Sequence, residues 1–148
     1  MIYLVPLENI LNLYIDCVKS LSLFGRDFEK LLVEAVDDGL STLGDSAKQA
    51  IYYHLEKSFN VKKEDIPSRI TAFTQAIENI FGVGANFVEI LIMRKLYEKV
   101  DESFKWNESE GFGFAQYVSQ AKRAFQEKNM IKTVKELIEC DEEPIREV

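Results

Sequence analysis

Apolar residues recur every three or four positions through most of the first hundred residues, which is the spacing of amphipathic helices. The first stripe follows Pro6, a residue that favours a helix start, and predicts a helix that ends near Gly25. Its apolar members are Leu7, Ile10, Leu11, Tyr14, Val18 and Leu21. A second stripe predicts a helix over residues 28–43, with Asp27 as its N-cap and Gly44 as its C-terminal stop.

A third helix is predicted to start at Asp45 or Ser46, either of which can cap it, and to end at Asn60. Residues 61–67 are rich in charge and end in Pro67, which disfavours helical geometry in the residue before it. These residues therefore predict a surface loop.

The fourth and fifth predicted helices, residues 70–81 and 85–103, are joined by a glycine pair that indicates a tight turn, Gly82-Val83-Gly84. The fifth helix is apolar on two flanks, and one core cannot easily absorb both. One flank holds Ile90, Met93, Tyr97 and Val100, spaced three, four and three. We expect this flank to be a seam covered by a second helix. The covering helix comes from a second copy or a partner protein in one alternative. In the other, it is the chain's own first helix or C-terminal arm.

Residues 104–112 show no period and predict a linker, which places a boundary near residue 103. A helical pattern starts at Phe114 and continues to Ile138, as one helix or as two that separate at Lys128-Asn129. The last eight residues predict a frayed acidic tail.

The patterns together predict an all-α protein, a compact multi-helix bundle with a C-terminal helical extension. Its expected parts are an N-terminal helix packed on the core (1–26), a helical domain (27–103), and a linker with a helical arm and acidic tail (104–148).

Composition and charge limit the classes of function that this chain can have. The chain has 148 residues and a net charge of -7, so its long-range field disfavours nucleic acid and anionic membranes unless a local basic patch overrides it. The two cysteines, Cys17 and Cys140, form no CxxC pair, so neither a disulfide scaffold nor a zinc site is indicated. A reducing cytoplasm is the expected location.

Candidate catalytic chemistry is sparse. The single histidine, His54, lies at the edge of an apolar stripe, where a hydrogen-bonded boundary role is favoured over catalysis. Glu34, Asp37 and Asp38 share one side of a helix and could hold a divalent cation or act as acid and base, but no partner motif accompanies them. We therefore predict no catalytic residue, no metal site and no cofactor.

A basic group around the loop offers an alternative. Lys57, Lys62, Lys63 and Arg69 could contact a DNA backbone, although neighbouring acidic residues nearly cancel their charge. The loop is also longer than the turn of a helix-turn-helix motif.

Residues 28–100 contain motifs that resemble those of a known protein family. The segment from Asp37 to Leu55, the turn at 81–85 and Lys95-Leu96-Tyr97 look like the Nitrosopumilus output domain. The matched positions are Gly39, Leu40, Gly44, Tyr52, His54, Leu55, Gly82, Gly84 and Ala85. The resemblance implies an all-helical, archaeal, cytoplasmic module that passes on signals without catalysis. Unlike fused family members, this chain has no room for a sensor or receiver domain.

The expected function is therefore that of a non-catalytic helical adaptor or regulator that acts through protein-protein contact, as a homodimer or with another protein. The alternative is a DNA-binding regulator that uses residues 57–69. An enzyme at the carboxylate face is the third hypothesis. No small-molecule substrate is evident.

Overall fold

The computed structural model describes residues 7–103 and 113–141, and these residues are almost entirely helical, without a strand. The helices are α1 (Leu7–Ser41), α2 (Asp45–Phe59), α3 (Ile70–Phe81), α4 (Ala85–Lys99) and α5 (Phe114–Asp141), with short 3-10 segments at Lys63–Ser68 and Gly82–Gly84. The all-α prediction is confirmed. The predicted linker at 104–112, and the acidic tail from residue 142 onward, lie outside the described residues.

The first two predicted helices form one helix of 35 residues, so the predicted end near Gly25 is wrong. A glycine inside a helix costs only about 1 kcal/mol relative to alanine, and the apolar stripe on its C-terminal side offsets that cost by burial. The predicted boundary between residues 26 and 27 therefore falls inside a continuous helix. After Ser41 the chain turns, and Gly44 takes a φ of 102° immediately before α2.

The core forms where the C-terminal half of α1 packs on α4 and on the first half of α5. Its largest fully buried side chains include Phe28, Phe73 and Phe114, from three different helices. Phe114 lies beyond the boundary predicted near residue 103, yet its ring centroid is 5.9 Å from that of Phe73. The start of the predicted C-terminal arm is therefore part of the bundle.

Helices α1 and α4 cross closely in the core. A Cβ built on Gly39 would be 2.8 Å from Ile92 Cγ1 and 2.9 Å from Ile92 Cα. Contact with a backbone atom cannot be relieved by rotating a side chain. Glycine at this position therefore lets the two helices approach.

Two boundaries around the middle of the chain differ from the predictions. The predicted surface loop contains a 3-10 helix, Lys63–Ser68, and both Val61 and Ile66 are buried in the core, so this segment is structural. The Gly82–Gly84 turn is confirmed, but α4 ends at Lys99, short of residue 103. Asp101 then takes a φ of 57°, which belongs to a turn.

Candidate interaction surface

The N-terminal half of α1 and the C-terminal half of α5 form a two-helix arm, which we define as residues 7–24 and 130–141. Phe28 and Phe125 are in contact at the base of the arm, with ring centroids 5.9 Å apart and ring planes tilted by 50°. Further out, residues 13–24 of α1 and residues 130–138 of α5 line one cavity. Residue numbers thus rise along α1 as they fall along α5, so the two helices are antiparallel.

The arm carries most of the exposed apolar surface of the described residues. Twelve of their fifteen exposed large hydrophobic side chains lie on it. They are Leu7, Ile10, Leu11, Leu13, Tyr14, Ile15, Val18, Leu23, Ile131, Val134, Leu137 and Ile138. The prediction that residues 1–26 pack on the core is therefore wrong for residues 7–24. Only two helices meet in the arm, and two helices cannot enclose an apolar core.

An apolar groove runs between the two helices of the arm. It encloses a cavity of about 150 Å³. The lining residues are Leu13, Asp16, Cys17 and Phe24 from α1, and Met130, Thr133, Val134, Leu137 and Ile138 from α5. Asp16 is the only charged residue among them. The groove is thus an open, almost wholly apolar channel with one acidic residue in its wall.

The sequence carries a signal for this groove that the prediction missed. In the first half of α5 the apolar positions Phe114, Tyr117, Val118, Ala121 and Phe125 share one helix face. Beyond Lys128-Asn129, the apolar positions Met130, Val134, Leu137 and Ile138 fall on the opposite face at 100° per residue. A single helix that changes its apolar face in this way has two different packing partners. The first half of α5 packs into the bundle, and the second half faces the groove.

The predicted seam on α4 is covered by the chain itself. Met93, Tyr97 and Val100 are 0%, 8% and 4% exposed, and Ile90 is half-buried. The Tyr97 hydroxyl donates a hydrogen bond to the Tyr117 carbonyl of α5 at 3.1 Å. Of the two alternatives, coverage by the chain itself is the one observed, with α5 in contact at Tyr97, so Met93, Tyr97 and Val100 offer no exposed face to a partner.

The four basic residues of the DNA alternative do not act as one free group. Lys63 Nζ lies 2.6 Å from Asp37 Oδ1 and 5.3 Å from the centre of the Tyr52 ring. Arg69 donates through Nη1 to the Asn60 carbonyl. Lys57 and Lys62 are exposed. Two of the four cations are therefore engaged in internal contacts.

The carboxylates of the third hypothesis are paired with lysines. Asp37 accepts hydrogen bonds from Lys63, from Lys48 at 3.2 Å and from the Tyr52 hydroxyl at 3.1 Å. The bond from Lys63 lowers the pKa of Asp37 more than burial raises it. Asp38 and Glu34 pair with Lys99 at 3.0 and 3.7 Å. This arrangement ties α1 to α2, α4 and the 3-10 segment.

The described residues hold no cluster of three or more His, Cys, Asp or Glu side chains suited to a metal ion. His54 is exposed on α2, where its ring meets that of Tyr53 edge-on at 5.8 Å. Among the residues that the structure describes, Glu89 on α4 is the one buried charged residue, and no sequence pattern pointed to it. Burial, and to a lesser extent the nearby Glu78, raise the pKa of Glu89 above its ordinary value.

One helical stretch of the described residues, Ile70–Lys99, is long and apolar enough to cross a membrane by length and composition alone. The 3-10 turn Gly82–Gly84 divides it into α3 and α4, whose apolar faces contribute to the bundle core. The buried apolar residues of α3 and α4 contribute to this composition.

Comparison with known proteins gives no match to this chain among protein-family models, curated proteins or solved structures. The resemblance to the Nitrosopumilus output domain stays a prediction.

Proposed function

We propose that this protein is a non-catalytic helical adaptor that holds an amphipathic helix of a partner protein in the groove of its two-helix arm. The observation that supports this proposal is the apolar groove itself, whose wall holds four of the arm's exposed large apolar side chains, Leu13, Val134, Leu137 and Ile138. Monomeric soluble proteins rarely expose large contiguous apolar patches, and such patches mark sites of interaction.

The length of the groove suits a helix that lies along it and inserts apolar side chains. From Leu13 to Phe24 the groove wall spans eleven residues of α1, about 17 Å at the helical rise of 1.5 Å per residue. That length matches about three turns of a bound helix. A third helix laid between two antiparallel ones places its own apolar stripe against both.

Charge favours a partner helix with basic residues beside its apolar stripe. Asp16 is the only charged residue of the groove wall, and it is exposed. The chain as a whole carries a net charge of -7, which attracts a cationic partner at long range. A cationic side chain at one edge of the bound helix could pair with Asp16.

A regulatory role agrees with the resemblance of residues 28–100 to a signalling output domain, which implies an archaeal, cytoplasmic protein without catalysis. DNA binding through residues 57–69 has weaker support, because Lys63 and Arg69 already make internal contacts.

The test compares three versions of the full chain. The groove variant, Leu13→Glu with Ile138→Glu, places a charge on each wall at positions that are 58% exposed, so we expect it to stay folded. The control variant, Asn9→Glu with Asn12→Glu, adds the same charge at exposed polar positions of α1. Each tagged version is purified from its native cells, and co-purifying proteins are quantified by mass spectrometry.

We expect at least one protein that the wild type and the control retain and the groove variant loses. A synthetic helix from that protein should bind the purified wild type and should bind the groove variant at least about tenfold more weakly. Equal binding of one partner set by all three versions would contradict the proposed groove.

A further inference from the structure

A heptad pattern extends along almost the whole of α1. Apolar or small residues alternate at spacings of four and three, as in the a and d positions of a coiled coil. The positions are Leu7, Leu11, Tyr14, Val18, Leu21, Gly25, Phe28, Leu32, Ala35 and Gly39. A single stripe therefore connects the arm to the core.

The two ends of this stripe have different surroundings. At the C-terminal end, Phe28, Leu32 and Ala35 are buried, and Gly39 lies against Ile92 of α4. At the N-terminal end, Leu7, Leu11, Tyr14 and Val18 are exposed, Leu11 to 61% and Tyr14 to 68%. We call these four residues the α1 seam.

The fold explains why the seam is uncovered in a single copy. Helix α4 ends at Lys99, which pairs with Glu34 and Asp38. Val18 lies sixteen residues before Glu34 along α1, a distance of about 24 Å. The part of the groove wall that α1 supplies, marked by Leu13 and Cys17, lies about a third of a turn from the seam around α1. No helix of the described residues continues along the seam itself.

We propose that the α1 seam is a dimerisation surface and that its occupant is the same seam of a second copy of this chain. The four seam residues are spaced four, three and four, a symmetric pattern along the helix. The seam is therefore self-complementary across a two-fold axis. Leucine, valine and tyrosine at alternate a and d positions are suited to knobs-into-holes packing. The core end of the stripe is already in contact with a helix, and the second copy extends this coverage outward.

The residues that flank the seam favour a second copy of the same chain as its partner. In the heptad register the e and g flanks are Glu8, Ile10, Ile15 and Cys17, of which only Glu8 is charged. Two copies of α1 therefore meet little like-charge repulsion at the seam, although each chain carries a net charge of -7. Ile10 and Ile15 are exposed and widen the apolar face.

The area available is sufficient for a dimer. The seam and its flanking isoleucines expose on the order of 400 Å² of apolar surface per chain, taking about 120 Å² for a fully exposed large side chain. Two copies would then bury about 800 Å² of apolar surface. With the polar rim that accompanies it, this corresponds to the lower end of the range for stable interfaces.

The experiment is sedimentation velocity of the full chain at concentrations from about 1 to 200 µM, a range that covers dimers of moderate affinity. The seam variant is Leu11→Glu with Tyr14→Glu. It buries charge only in the dimer, and we expect it to weaken association by about a hundredfold or more. The Asn9→Glu/Asn12→Glu control and the Leu13→Glu/Ile138→Glu groove variant should stay dimeric.

Circular dichroism checks that the seam variant stays helical. If it does not, Leu11→Gln with Tyr14→Gln replaces it and should also be monomeric. A wild type that is monomeric throughout the range, or a dimer that both seam variants leave intact, would overturn this proposal. Neither result bears on the groove, because the partner of the proposed function is lost only when the groove variant is made.

Discussion

Replacing Gly39 with alanine should destabilise the protein, although alanine is the better helix former. The added Cβ would lie 2.9 Å from Ile92 Cα and 3.0 Å from Ile92 N, so α1 and α4 must move apart. Overpacking of this kind costs about 1–3 kcal/mol, and the higher helix propensity of alanine offsets up to about 1 kcal/mol. We expect a net loss of about 1–2 kcal/mol in the free energy of unfolding, and a melting temperature roughly 3–6 °C lower.

Gly25→Ala is the matched control, because it makes the same chemical change in the same helix. A Cβ at this position has no neighbouring atom within 4 Å. We expect this variant to be more stable than the wild type by about 0.5–1 kcal/mol. Urea unfolding at one fixed protein concentration measures both variants. If Gly39→Ala is as stable as the wild type, the close crossing of α1 and α4 is wrong.

Three further predictions concern charged and buried groups. Asp37→Asn should lower the free energy of unfolding at pH 7 by about 1–2 kcal/mol, a value reduced for partial exposure. Because the pKa of Asp37 is lowered in the folded state, this difference should shrink as the pH falls from 3.8 through the lower folded-state pKa, and an unchanged difference near pH 2 would contradict it. The raised pKa of Glu89 means that the wild type loses stability as the pH rises from 4.5 through the folded value. Glu89→Gln should therefore stabilise at pH 8 and have little effect at pH 4, which thermal melts at the two pH values would check. Met93→Glu with Tyr97→Glu should unfold the chain, because both side chains are buried, and a well-folded variant by circular dichroism would contradict their place in the core.

The helices that the sequence predicted correctly are those with clear local stop signals. The turn at Gly82–Gly84 and the end of α2 at Phe59, before Asn60 with its φ of 53°, follow from local backbone preferences. Gly25 is the counter-example, because a glycine is compatible both with a helix end and with a helix interior. Burial of the residues after it decides between the two, and burial depends on helices that are distant in the sequence.

The apolar flank of α4 shows the same limit of prediction from sequence, because the helix that covers it is distant in the chain. Periodicity identified the apolar flank of Met93, Tyr97 and Val100 but gave no information on which helix covers it. The burial of Ile66 in a charged, proline-containing segment is likewise a tertiary effect. The groove could have been found from the change of apolar face within α5, since that change depends only on residue spacing.

Site-specific photo-crosslinking in native cells tests the central claim, that the groove of the arm contacts a partner protein, most directly. A photoreactive amino acid replaces Leu137 in the groove, Glu56 at an exposed control position on α2, or Lys62 in the basic segment. We predict a covalent adduct of one discrete additional protein mass from position 137 and none from position 56. An adduct with nucleic acid from position 62, together with no protein adduct from position 137, would contradict the claim.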